Sequence, residues 1–178
     1  VAKEHLTVRQ IAALIQRPRE ELTTVVDRIR GWTDAGLLKV SGTKSPGTGN
    51  RRYYEPAAII DALVMTSLVD VGLAAIRVGQ FAAADGKTVL GFGRLGASEV
   101  LNPAKNERPA FLIISGAEPS PRHVMLSDGE IGLNRLPPNE PYSIIVRLND
   151  YFRPLKGIVT AVSEQGHVKI ELIGKQRA

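Results

Sequence analysis

Residues 44–54 read Lys-Ser-Pro-Gly-Thr-Gly-Asn-Arg-Arg-Tyr-Tyr. Glycines that let backbone approach a ligand, set beside basic and aromatic side chains, suit phosphate: a nucleotide tail or a nucleic-acid backbone. A second cluster, Gly91-x-Gly93-x-x-Gly96, imitates a dinucleotide fingerprint, with Glu118 at the end of the next apolar run. Neither cluster completes an enzyme. The first lacks the Gly-Lys-Ser/Thr end of a phosphate-binding loop. The second follows a strand expected at Thr88–Leu90, but Pro103 and Pro109 leave room only for a short helix after it. No repeats of strand and helix complete a doubly wound sheet, so the motif reads as a Gly-rich turn. His-Glu-x-x-His and Gly-x-Ser-x-Gly are absent, and Glu20-Glu21 suit a helix start better than an acid–base pair. His5, His123 and His167 are too scattered for a metal cluster, and the absence of cysteine removes thiolate ligands and nucleophiles. The expectation is a protein with no catalytic residues, no cofactor and no metal.

The totals agree with a globular binding protein. The chain has 178 residues, 43% hydrophobic and 23% charged, enough for one domain or two small ones. Its net charge of +5 leans toward anionic partners. The surplus is spread evenly, however: residues 1–87 hold 12 Lys+Arg against 9 Asp+Glu, and the remainder 11 against 9. The basic character is therefore local. Between Lys39 and Arg52 lie four basic residues and no acid. The longest apolar run, Ile59–Leu73, is interrupted by Asp61, Thr66, Ser67 and Asp70, which argues against a membrane span. The charged first residues hold no signal-peptide core, and a cytoplasmic location is expected.

Several elements are needed to position the basic segment. Thr7 and Gln10 form a capping box, Leu6 and Ile11 a hydrophobic staple, and Val8, Ile11, Ala12 and Ile15 one apolar stripe of a first helix. A second helix is expected to begin at Pro18, with Glu20 and Glu21 in its first turn. Leu22, Val25, Val26, Ile29 and Trp32 form its apolar face, and Gly36 stops it. Its solvent face carries Thr23, Thr24, Asp27, Arg28 and Gly31, with Arg19 and Arg30 at its sides. Two short helices joined by a turn are a helix-turn-helix arrangement, whose second helix can enter a major groove. Leu37–Thr43 and Tyr53–Glu55 then read as a hairpin around the opening segment, a wing aiming Lys44, Arg51 and Arg52 at phosphates. A buried helix follows from Glu55-Pro56 to Gly72, and a fourth over Leu73–Ala84.

From Lys87 the periodicity changes. Besides Thr88–Leu90, strands are expected at Phe111–Ser115, His123–Leu126, Tyr142–Leu148 and His167–Ile173, between segments rich in Pro and Gly. Leu148–Val162 reads either as a helix beginning after Asp150 or as part of a hairpin turning at Gln165-Gly166.

The N-terminal half resembles the MerR-like winged-helix regulators. The resemblance rests on Thr7-Val-Arg-Gln-Ile-Ala-Ala-Leu, Arg30-Gly-Trp-Thr-Asp-Ala-Gly-Leu-Leu-Lys, Pro46-Gly-Thr-Gly-Asn-Arg-Arg-Tyr-Tyr-Glu and Asp70-Val-Gly-Leu, across residues 5–85. It implies that Arg30 and Arg52 contact phosphates, that Tyr54 packs or bonds at the wing base, and that Thr23, Thr24 and Arg28 face bases. Two features depart from the family. The interval from Ala12 to Arg30 is longer, and no long dimerising helix is evident after Gly86.

The expected fold class is α+β. A winged helix-turn-helix over 1–86, mostly α with a β-hairpin wing, precedes a smaller β-rich α/β region over 87–178. The expected function is sequence-specific binding of double-stranded DNA as a homodimer, a bacterial transcriptional regulator. The C-terminal region would supply dimerisation, binding of a small-molecule effector, or both. A winged helix acting as a protein-interaction module, and a nucleotide-binding enzyme using Gly91–Gly96, are the alternatives.

Overall fold

The structure, a computed structural model, describes residues 5–41, 52–73, 88–104, 109–115, 123–127, 143–164 and 167–173. It mixes helices with small antiparallel sheets, an α+β architecture.

Strand β1 (Leu6–Thr7) runs straight into helix α1 (Val8–Ile15). The capping box forms: Gln10 N–H donates to Thr7 Oγ1 at 3.3 Å, and Thr7 N–H donates to Gln10 Oε1 at 2.8 Å. Ile11, Ala12 and Ile15 are buried along one side. The second helix does not begin at Pro18. Pro18 and Arg19 are instead the central residues of a turn in which Glu20 N–H donates to the Arg17 carbonyl at 3.1 Å. Arg19 has φ 73°, as the third position of a type II turn requires. Helix α2 (Leu22–Asp34) starts after this turn, with Glu21 as its cap residue. The turn consumes residues that the Pro-first pattern assigned to the helix, so Glu20 and Glu21 lie outside its first turn.

α2 buries Val25, Ile29 and Trp32, and α3 (Ala57–Asp70) buries every residue from Ala58 to Leu68. Both helices end alike. Gly36 (φ 77°) donates to Thr33 and Leu37 to Trp32, and Gly72 (φ 80°) donates to Val69 and Leu73 to Leu68. These are Schellman motifs, whose left-handed residue favours glycine. Between the helices, Ser41 N–H donates to the Tyr53 carbonyl at 2.7 Å. Strand β2 (Tyr53–Tyr54) pairs antiparallel with β1, Leu6 opposite Tyr54. The chain after α2 therefore returns beside the start of α1, a pairing not anticipated from the sequence.

Helix α4 (Val89–Leu101) overturns the reading of Thr88–Leu90 as a strand and of Gly91–Gly96 as a turn. Thr88 caps it, its Oγ1 accepting from Gly91 N–H at 3.1 Å. β3 (Phe111–Ser115) is the centre of a three-stranded antiparallel sheet, flanked by β4 (His123–Ser127) and β5 (Ser143–Arg147). β5 passes directly into α5 (Leu148–Phe152) and a 3-10 turn (Arg153–Leu155). A hairpin of β6 (Val159–Glu164) and β7 (His167–Leu172) follows. The ambiguous segment is thus helix up to Leu155 and hairpin from Val159, and the helix begins at Leu148, not after Asp150. On β7, Ile170 is buried while His167, Lys169 and Glu171 are exposed, as the alternation predicts.

One hydrophobic core includes residues from Leu6 to Ile170, with α3 packed against α1, α4 and α5. The expected boundary at residue 86 and most of the expected fourth helix, from Ala74 on, lie outside the described residues. Among the described residues, no helix is long and apolar enough to cross a membrane.

Candidate nucleic-acid interface

The α1–α2 unit presents one face of α2 to solvent, because its other face is fixed in the core by Val25, Ile29 and Trp32. Thr23, Thr24, Asp27, Arg30, Gly31 and Asp34 are all exposed, following one another at helical spacing. Thr23 and Thr24 form its N-terminal end, with Thr23 Oγ1 3.5 Å from Glu21 Oε2. Arg30 Nη1 donates to Asp27 Oδ1 at 3.1 Å, a pair 58% and 73% exposed. So open a pair contributes little to stability, and either side chain can exchange its partner cheaply.

Arg28 is placed differently from what the sequence led us to expect. Its guanidinium lies 2.8 Å from Glu20 Oε1 and 5.6 Å from the Trp32 ring centroid. Only 21% of its side chain is exposed. Arg28 therefore braces α2 against the preceding turn instead of standing on the exposed face. The turn that delays the second helix places Glu20 against Arg28 of α2.

Arg52 Nη2 lies 2.7 Å from Asp34 Oδ1, joining the segment before β2 to the last residue of α2. Its Nη1 is buried without a hydrogen-bond partner among the described residues. Tyr54 is fully buried. Thr33 Oγ1 donates to the Ile29 carbonyl at 2.8 Å, which commits its one proton. The Tyr54 hydroxyl, 3.0 Å away, is then the donor to Thr33 Oγ1. Arg19 is exposed on the turn between the helices. Lys44 and Arg51 lie outside the described residues, as does the rest of 42–51.

Thr23, Thr24 and Arg30 thus share a face, with Arg52 at its C-terminal end and Arg19 beyond its N-terminal end. Arg28 and Tyr54 hold that arrangement from behind. The missed part was the pairing: Asp27, expected on this face, and Asp34, which was not, offset Arg30 and Arg52. Their helical spacing from Arg30 was readable, but the pairing of Asp34 with Arg52 required the return of the chain to β1.

The glycine cluster makes no phosphate site. Gly93 and Gly96 are buried within α4, and a Cβ on Gly93 would lie 2.2 Å from Val64 Cγ2 of α3. Gly93 serves the close approach of α3 and α4, and the buried backbone of Gly93 and Gly96 is closed to a nucleotide.

Compared with protein-family models and with curated proteins, the sequence matches none.

Proposed function

We propose that this chain binds double-stranded DNA through the exposed face of α2, acting as a homodimeric transcriptional regulator of the MerR-like kind. The observation that carries the reading is that face itself. A helix anchored by its apolar side, ended by a Schellman motif and entered through a tight turn, exposes Thr23, Thr24, Asp27, Arg30 and Gly31 together. Small polar residues and an arginine on a rigid helix suit base edges in a major groove. The segment from Lys39 to Arg52 would reach flanking phosphates, with Lys44 and Arg51 contributing. A single such helix covers few base pairs, which is why two copies on two half-sites are proposed.

The alternative is a protein-interaction module, and the carboxylates favour it. Asp27 and Asp34 partner Arg30 and Arg52, so the described part of the face carries little net positive charge. Titration of the full chain with promoter-derived and random duplexes across a salt series separates the two. DNA binding predicts a log–log slope of roughly −0.9 per phosphate neutralised. Arg52→Ala should weaken all duplexes similarly and make the slope shallower. Salt-insensitive behaviour, with no duplex bound, would leave the interaction module.

A further inference from the structure

Arg28 is enclosed but poorly satisfied. Its Nε is buried without a hydrogen-bond partner among the described residues. Its Nη2 lies 2.8 Å from Glu20 Oε1, an ion pair that lacks the geometry of a hydrogen bond. A buried donor without an acceptor costs free energy that the same donor does not lose in water or on a phosphate. The charge of Glu20 and the face of the Trp32 ring are what hold this side chain inward. Glu20 itself is fixed by the turn. Its N–H donates to the Arg17 carbonyl, its own carbonyl accepts from Gln16 Nε2 at 2.5 Å, and its Oε2 accepts from Arg17 N–H at 3.4 Å.

Arg28 also has somewhere to go. On the helix its neighbours toward the exposed face are Thr24, four residues before it, and Gly31, three residues after it. Both are exposed and small. A Cβ on Gly31 would meet nothing within 4 Å among the described residues beyond its chain neighbours. The surface beside Arg28 is therefore open, and a change of side-chain rotamer carries the guanidinium onto it. The other arginines of this region repeat the pattern of an acid on a cation, Asp27 on Arg30 and Asp34 on Arg52. Glu20 differs in being mostly buried, with 19% of its side chain exposed.

We propose that Glu20 is an internal competitor of nucleic-acid phosphate: its carboxylate holds Arg28 in the free protein, and a phosphate beside α2 draws Arg28 out between Thr24 and Gly31. This rests on the DNA-binding reading of α2 and deepens it, because it names a residue that sets the affinity of the face. A phosphate can take two parallel hydrogen bonds from a guanidinium, whereas the enclosed Nε of Arg28 has none. The exchange moves as far as the difference in free energy between the two partners allows. Breaking the Glu20 pair opposes binding, so the acid lowers duplex affinity without touching the duplex.

The test compares the full chain with Glu20→Gln, Arg28→Met and the double variant, each keeping the wild-type circular-dichroism spectrum. In the free proteins, exchange of the Arg28 Nε–H with solvent is read from its nitrogen-15 resonance. It should be slow in the wild type, where Nε is buried, and at least about tenfold faster in Glu20→Gln. Equal protection in the two would overturn the proposal without reference to DNA. Titration with promoter-derived duplexes at fixed salt is the second arm. Glu20→Gln should bind at least roughly threefold tighter than the wild type, and the gain should vanish in the Arg28→Met background. A gain that persists there is the general effect of removing an acid near a polyanion, and it overturns the proposal, as does no gain at all. Either result in a protein that binds duplex removes this proposal alone. Absence of duplex binding by every form removes the regulator reading and the proposal with it.

Discussion

Arg19 is the one described residue other than glycine with positive φ, and it shows how a side chain can be held against backbone preference. A left-handed conformation costs an L-residue about 1–2 kcal/mol. Glycine avoids that cost but loses about 0.5–1 kcal/mol through its freer unfolded chain. Arg19→Gly should therefore raise stability by up to about 1 kcal/mol. The check is a higher urea midpoint at unchanged m-value. If Arg19 also touches a phosphate, the same variant binds duplexes more weakly, so stability and affinity move in opposite directions. A fall in stability would mean that the guanidinium packs on the turn. The sequence offered Pro18 as a helix start and gave no sign of this conformation. Type II turns normally advertise themselves with glycine or asparagine at the third position, and here an arginine occupies it.

At the scale of elements, what was legible is what local chemistry decides. The capping box at Thr7, the stops at Gly36 and Gly72 and the all-round burial of α3 each follow from neighbours within a few residues. The glycines of α4 were misread for the same reason. Gly-x-Gly-x-x-Gly has one appearance in a turn and in a helix, and only the partner helix tells them apart. That partner was visible only as another apolar run, and its Val64 lies 29 positions before Gly93. Gly93→Ala tests the helix-packing account. The added methyl meets the stiff, fully buried Val64, with Cγ2 at 2.2 Å and Cβ at 3.2 Å. Overpacking of this kind costs about 1–3 kcal/mol. Val64→Ala should restore part of the loss, giving a coupling of about 0.5–3 kcal/mol in a double-mutant cycle followed by chemical denaturation. Additive effects would refute the close approach. It follows that loss of nucleotide binding on enlarging Gly93 would be no evidence for a phosphate loop, because the variant disturbs the core.

The whole molecule is tied together by contacts that no local pattern reveals, and the clearest of them links its two halves. Asp70, at the end of α3, accepts hydrogen bonds from Arg17 and from the hydroxyl of Tyr151, the latter at 2.8 Å. Arg17 also lies 5.9 Å from the Tyr151 ring centroid. Arg17 immediately precedes the Pro18-Arg19 turn and Tyr151 belongs to α5, so this cluster connects the C-terminal half to the turn that aims α2. Burial, then the hydrogen bond and charge of Asp70, push the Tyr151 hydroxyl up to about 12. In the folded state it keeps its proton to higher pH than in the unfolded chain, whose tyrosine titrates near 10. Its contribution to stability is therefore complete below about pH 10 and is lost as pH rises through about 12. Phenolate absorbance should show this as a component with a midpoint near 12, absent from Tyr151→Phe. At neutral pH the same variant loses a hydrogen bond to a carboxylate and should be less stable by about 1 kcal/mol. Asp70 then loses one of the two donors that fix its carboxylate, so Arg17 is held less firmly and the Glu20 amide, which closes the turn, should exchange its hydrogen faster. Unchanged exchange at Glu20 alongside reduced global stability would make the cluster a simple brace between α3 and α5. Faster exchange there would establish that the C-terminal half controls the turn on which the proposed DNA-reading helix depends.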